Sequence, residues 1–73
     1  MISTNPIDIA GERYHITLLH DEVMVSRWTG HAWTVAGKGI WEDGRITGCA
    51  GLDPSILRKL EAKLAAMLDG FRI

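Results

Sequence analysis

Trp41-Glu42-Asp43-Gly44-Arg45-Ile46-Thr47-Gly48-Cys49-Ala50-Gly51-Leu52-Asp53-Pro54-Ser55-Ile56-Leu57-Arg58-Lys59-Leu60 contains the change of pattern on which the fold turns. Before Leu52 apolar and polar residues alternate between glycine-rich turns; after it they repeat at helical spacing. Asp53 suits an N-cap, Pro54 the first helical position, and Gly70 a left-handed C-terminal residue, which bounds a helix over about 54–69. Leu57, Leu60, Leu64, Met67 and Leu68 recur at three- and four-residue steps, with Arg58, Lys59, Glu61, Lys63 and Asp69 assigned to the solvated face. On the other side of the divide, Asp43-Gly44 tolerates the two positive φ angles of a type I′ turn, which sets Glu42 opposite Arg45 and Trp41 opposite Ile46.

Further upstream, Thr29-Gly30 reads as a two-residue turn between strands at 23–28 and 31–35. A third turn around His20-Asp21-Glu22 joins a strand at 13–18 to the strand that begins at Val23. Asn5-Pro6 is a turn, and Ile7-Asp8-Ile9 alternates like a short edge strand that Ala10-Gly11 ends. The expected class is α+β with a single domain at 1–73. It comprises an antiparallel meander of three to four strands over about 7–49, an optional short N-terminal edge strand, and one C-terminal helix packed on the sheet.

One helix covers one sheet face, and the turn near His20 decides which face, because a one-residue slip reverses every side chain. With a three-residue loop, Tyr14, Ile16 and Leu18 lie beneath the helix with Met24, Trp28, Trp33 and Val35, and Leu19, Val23, Val25, Arg27, Ala32 and Thr34 face outward. With a two-residue loop, Val23, Val25, Ala32 and Ala36 take the core positions, and His15, Met24, Trp28, His31 and Trp33 face out. The first register is preferred, because Asp21-Glu22 makes a poor primed turn and indoles are the largest core fillers present.

Composition narrows function by exclusion. Eight Lys and Arg against nine Asp and Glu give a net charge of −1, so the electrostatic attraction that drives non-specific nucleic-acid binding is missing. The acidic residues are dispersed, which argues against phosphate mimicry. A single cysteine, Cys49, permits no disulfide within one chain and fits a reducing, cytoplasmic setting. The longest apolar run, Leu64-Ala65-Ala66-Met67-Leu68, falls far short of a bilayer span.

No residue set carries a reaction. His15, His20, His31 and Cys49 lack zinc-ligand spacing. Cys49 has no basic neighbour in sequence and reads as a small core residue. Ala36-Gly37-Lys38-Gly39 fails the phosphate-loop pattern on both sides. Asp21-Glu22 and Glu42-Asp43 sit at hairpin tips, where carboxylates stay solvated instead of converging on a pocket.

Three tryptophans in 73 residues are more than one helix can shield, and the uncovered sheet face keeps apolar side chains in either register. The expectation is a non-enzymatic protein-interaction module that binds and blocks or regulates a larger protein, self-associates, and takes no cofactor, metal, membrane or small-molecule substrate. In size it matches viral and mobile-element inhibitors of host defence. The expected contact residues are Leu19, Val23, Val25, Arg27, Trp28, Trp33, Trp41 and Arg45. The alternative is a single-stranded nucleic-acid binder that stacks bases on Trp28, Trp33 or Trp41 beside Arg27, Lys38 and Arg45.

Overall fold

In a computed structural model, which describes residues 1–70, β3 (Glu12–Leu19) is the strand around which the sheet forms. Its two long neighbours in the sheet order are β4 (Glu22–Trp28) and then β5 (Trp33–Glu42), and the sheet closes with the short edge strand β6 (Arg45–Thr47). On its other side β3 pairs with two separate short strands, β1 (Ile2–Ser3) and β2 (Ile7–Ile9). The order is β1-β3-β4-β5-β6 with β2 also on β3, and every pairing is antiparallel. Thr4 spans the break between β1 and β2: its N–H donates to the Ile16 carbonyl and its hydroxyl accepts from the Ile16 N–H, both at 2.9 Å. The ladder is therefore carried past a point where no strand pairs.

The helix α1 (Pro54–Asp69) follows the sequence expectation at its start, where the Asp53 carboxylate accepts from the Ser55 N–H at 2.8 Å. At its end Gly70 is right-handed, with φ −66°, and donates its N–H to Ala66 and Met67 carbonyls. The expected left-handed residue is therefore absent there. Leu60 and Leu64 are fully buried and join Ile9, Tyr14, Ile16, Leu18, Val23, Val25 and Ile46 in one core between helix and sheet.

The turn at Asp43-Gly44 forms as expected, with φ of 51° and 78° and Trp41 opposite Ile46. Ala10-Gly11 makes a second turn with two positive φ angles, 53° and 81°, so the break after Ile9 is a tight hairpin into β3. The other two turns differ from expectation. Thr29-Gly30 widens to a four-residue loop because Thr29 organises it: its hydroxyl accepts from the N–H groups of His31 and Ala32 and donates to the Ala32 carbonyl, and Trp28 pairs with Trp33. A β-branched residue is ill suited to the positive φ that a two-residue turn demands.

The preferred register is overturned. Leu19 pairs with Glu22, so the turn is the two residues His20-Asp21, and Ile16 lies opposite Val25. His20 takes a φ of 56°, a region that histidine visits more readily than most side chains. The turn residues are thus shifted by one from Asp21-Glu22, and Val23 and Val25 go under the helix.

Candidate interaction face

Alternation from that register sends Tyr14, Ile16, Leu18, Val23 and Val25 toward α1, and His15, Thr17, Leu19, Met24, Ser26 and Trp28 toward the opposite, open face. On β5 the assignment depends on a bulge. Val25 pairs with Gly37 but Ser26 with Val35, so Ala36 is the extra residue. Gly37, Gly39 and Trp41 point to the helix side, whereas Trp33 and Val35, on the far side of the bulge, switch to the open face and join Lys38 and Ile40. The first register puts Trp33 and Val35 beneath the helix with Met24 and Trp28, and none of the four is there.

The helix side of β5 has no room for indoles. A Cβ on Gly37 would lie 2.7 Å from Cys49 Sγ, and one on Gly39 2.6 Å from the Thr47 carbonyl oxygen. β6 closes on Gly39 and the segment after β6 closes on Gly37, so Ala36-Gly37-Lys38-Gly39 is strand where two backbones come close. Cys49 fills part of that approach, and its burial pushes the thiol pKa up, which keeps it protonated and weakly nucleophilic.

Among the described residues the exposed large apolar side chains, Met1, Leu19, Trp28, Trp33, Val35 and Ile40, lie on or beside the open face. Trp28 and Trp33 pack against each other with ring centroids 5.4 Å apart, and the His15 ring stands edge-on to Trp33 at 4.3 Å. Toward the other end, Met1, Leu19, Met24 and Ile40 line a shallow groove of about 530 Å³ whose polar rim includes Glu22 and Lys38. Neither of these charges pairs with another described residue, and they occupy diagonal positions on adjacent strands.

Of the eight residues expected at a contact, Leu19, Trp28 and Trp33 are on this face. Val23 and Val25 are 1% and 0% exposed beneath the helix and cannot line a surface. Trp41 is half-buried against the core. Arg27 is exposed opposite Tyr14 on the helix side of the sheet, beside the start of α1. Arg45 is at the β6 edge, with its Nε 3.1 Å from Glu61 Oε2. Val35, Ile40, Met24, Glu22 and Lys38 are on the face without having been expected among its contacts. Strict alternation cannot place both Val35 and Ile40 on one face, because five positions separate them; only the bulge does.

Among the described residues no three His, Cys, Asp or Glu side chains converge on a metal-sized site, and no helix is long and apolar enough to cross a membrane. Fold and site together define a small α+β domain with one helix-covered sheet face and one open, aromatic-rich face. Comparison with protein-family models, with curated proteins and with solved structures finds no match.

Proposed function

We propose that the chain is a non-enzymatic protein-interaction module that acts through the open face of its sheet, binding and thereby blocking or regulating a protein. The observation that supports this is the segregation of exposed apolar bulk: Leu19, Trp28, Trp33, Val35 and Ile40 share one side of β3, β4 and β5, while the outer helix surface carries Arg58, Lys59 and Lys63. Contiguous apolar area rimmed by charge is a mark of contact surfaces, and tryptophan is the side chain most enriched where binding energy concentrates.

A photo-crosslinking amino acid placed at Val35, and separately at Lys59 on the helix, tests the reading in the cells from which the chain derives. Protein adducts from position 35 and none from position 59 are expected. Equal labelling from both positions overturns it.

A second reading is favoured by one observation, the cluster of His15, Trp28 and Trp33 on an antiparallel sheet, a geometry that stacks single-stranded bases elsewhere. Quenching of tryptophan fluorescence by micromolar single-stranded oligonucleotide, relieved by salt, would select this reading over the first.

A further inference from the structure

We infer that the unpaired edge of β5 at residues 33–35 takes up an extended peptide segment as an added strand, with an acidic side chain of that segment reaching Arg27. The inference deepens the interaction-module reading, since it names the backbone element that binds and the kind of partner it fits.

β5 is ten residues long, yet β6 pairs with it only at Ile40, Trp41 and Glu42. Hydrogen bonding to β4 fixes which way the rest of that edge points. The Thr29 N–H donates to the Ala32 carbonyl, so the register makes Arg27 with Thr34 a hydrogen-bonded pair, and Trp28 with Trp33 and Ser26 with Val35 non-hydrogen-bonded pairs. The N–H and C=O groups of Trp33 and Val35 therefore point away from β4. Among the described residues no strand and no turn hydrogen bond meets them. The same alternation turns the Ile46 N–H outward on β6, where Glu61 accepts it; β5 has no such cover at residues 33–35.

The backbone of that edge states what fits it. Two donors and two acceptors alternate along it, with Trp33 and Val35 about 6.8 Å apart, and another extended chain reproduces that spacing. Three residues are enough in this sheet, since β2 and β6 each pair through three. Beyond Val35 the bulge at Ala36 and the approach of Gly51 to the Ala36 carbonyl end the free stretch.

Side chains set the composition of the segment. Residues opposite Trp33 and Val35 lie beside those side chains on the open face, which selects aromatic or β-branched partners. The residue opposite Thr34 falls on the helix side, over a cleft of about 270 Å³ lined by Arg27, Thr34, Leu52, Asp53 and Ile56. Asp53 is engaged there by the Ser55 N–H and hydroxyl, whereas Arg27 is exposed and has no ion-pair partner among the described residues. A carboxylate on the added strand supplies one. The segment therefore carries an acidic residue between two apolar ones.

The probe is a capped synthetic peptide, Lys-Thr-Thr-Val-Glu-Val-Thr-Thr-Lys, titrated into the full chain while amide hydrogen exchange is followed by NMR. In the free chain the Trp33 and Val35 amides are expected to exchange freely and the Thr34 amide to be protected. At saturating peptide the Trp33 and Val35 amides are expected to slow about tenfold or more. Val35→Pro removes an N–H that β4 does not use, so it is expected to fold by circular dichroism and to lose the peptide. The same peptide with both valines N-methylated keeps its side chains but cannot donate to the edge, and it is expected not to bind. If Val35→Pro unfolds, the exchange rates and the methylated peptide decide. Arg27→Gln is expected to raise the peptide Kd about threefold, the scale of an exposed ion pair. Protection of the Trp33 and Val35 amides in the free chain, no slowing at millimolar peptide, or binding that survives N-methylation, a folded Val35→Pro or Arg27→Gln unchanged overturns the inference. The crosslinker at Val35 separates this failure from failure of the wider reading. Protein adducts at that position without peptide binding end the edge inference alone, whereas no protein adduct of any kind ends both.

Discussion

The carboxylate of Glu61, midway along α1, accepts a hydrogen bond from the backbone N–H of Ile46 on the edge strand β6 at 3.0 Å, and the same oxygen accepts from Arg45 Nε at 3.1 Å. Its charge alone predicts the solvated face of the helix, yet Glu61 is 7% exposed. It ties the helix to a sheet edge that would otherwise present a free donor, which is one way an edge is withheld from other strands.

Removing that acceptor leaves the Ile46 N–H buried without its partner. Glu61→Ala is expected to cost about 2 kcal/mol, in the range for hydrogen bonds to charged groups, and to lower Tm by roughly 10 °C. Glu61→Gln, whose amide oxygen can still accept from Ile46, is expected to cost less. Thermal and denaturant unfolding of the two variants checks the order.

Val25 and Val35 give opposite expectations for one substitution. Val25 is fully buried, so Val25→Glu places a charge in the core and is expected to unfold a domain of ordinary stability. Val35→Glu leaves the core intact and is expected to keep native circular dichroism while weakening partner binding. A folded Val25→Glu protein would contradict the two-residue turn at His20-Asp21.

The close approach at β5 predicts an order of costs. Gly39→Ala meets the Thr47 backbone oxygen, which cannot step aside, whereas Gly37→Ala meets Cys49 Sγ, the end of a side chain that can rotate. Gly39→Ala is expected to destabilise more. Cys49→Ala is expected to offset part of the cost of Gly37→Ala and none of the cost of Gly39→Ala, which a double-mutant cycle in urea measures.

Acid should loosen the helix start. Hydrogen bonds from the Ser55 hydroxyl and backbone N–H hold the Asp53 carboxyl below its ordinary value of 3.8. A carboxyl depressed by folding contributes stability that is complete above the unfolded value and is lost as pH falls through the lower, folded value. Asp53→Asn retains a good N-cap but does not titrate, so its thermal midpoint is expected to fall less than that of wild type as the pH drops below about 4.

Much of the architecture is legible in the sequence because the backbone itself dictates it. Asp43-Gly44 supplies two positive φ angles, Asp53-Pro54 supplies a cap and a fixed first helical φ, and Leu60 and Leu64 repeat at helical spacing. The face assignment is not legible, because it depends on which two residues turn the chain and on an extra residue at Ala36. Indole volume favours burying Trp28 and Trp33, but volume argues for a place only where there is space. The later chain approaches Gly37 and Gly39 closely enough to exclude indoles from that side. Glu61 is misplaced by its charge for a related reason, since charge alone does not show an edge N–H within reach.

The sheet's connectivity also has a kinetic consequence. Four of its five pairings join strands that follow one another in the chain, and only β1 with β3 skips a neighbour, across a stretch that Thr4 bridges. Loops between paired strands are therefore short, so little closure entropy has to be overcome before each hairpin is rewarded with contacts. Such a chain is expected to zip quickly from its tight turns. The slower event is then the docking of α1, the element that must reach back along the chain to find β2 and β6 together.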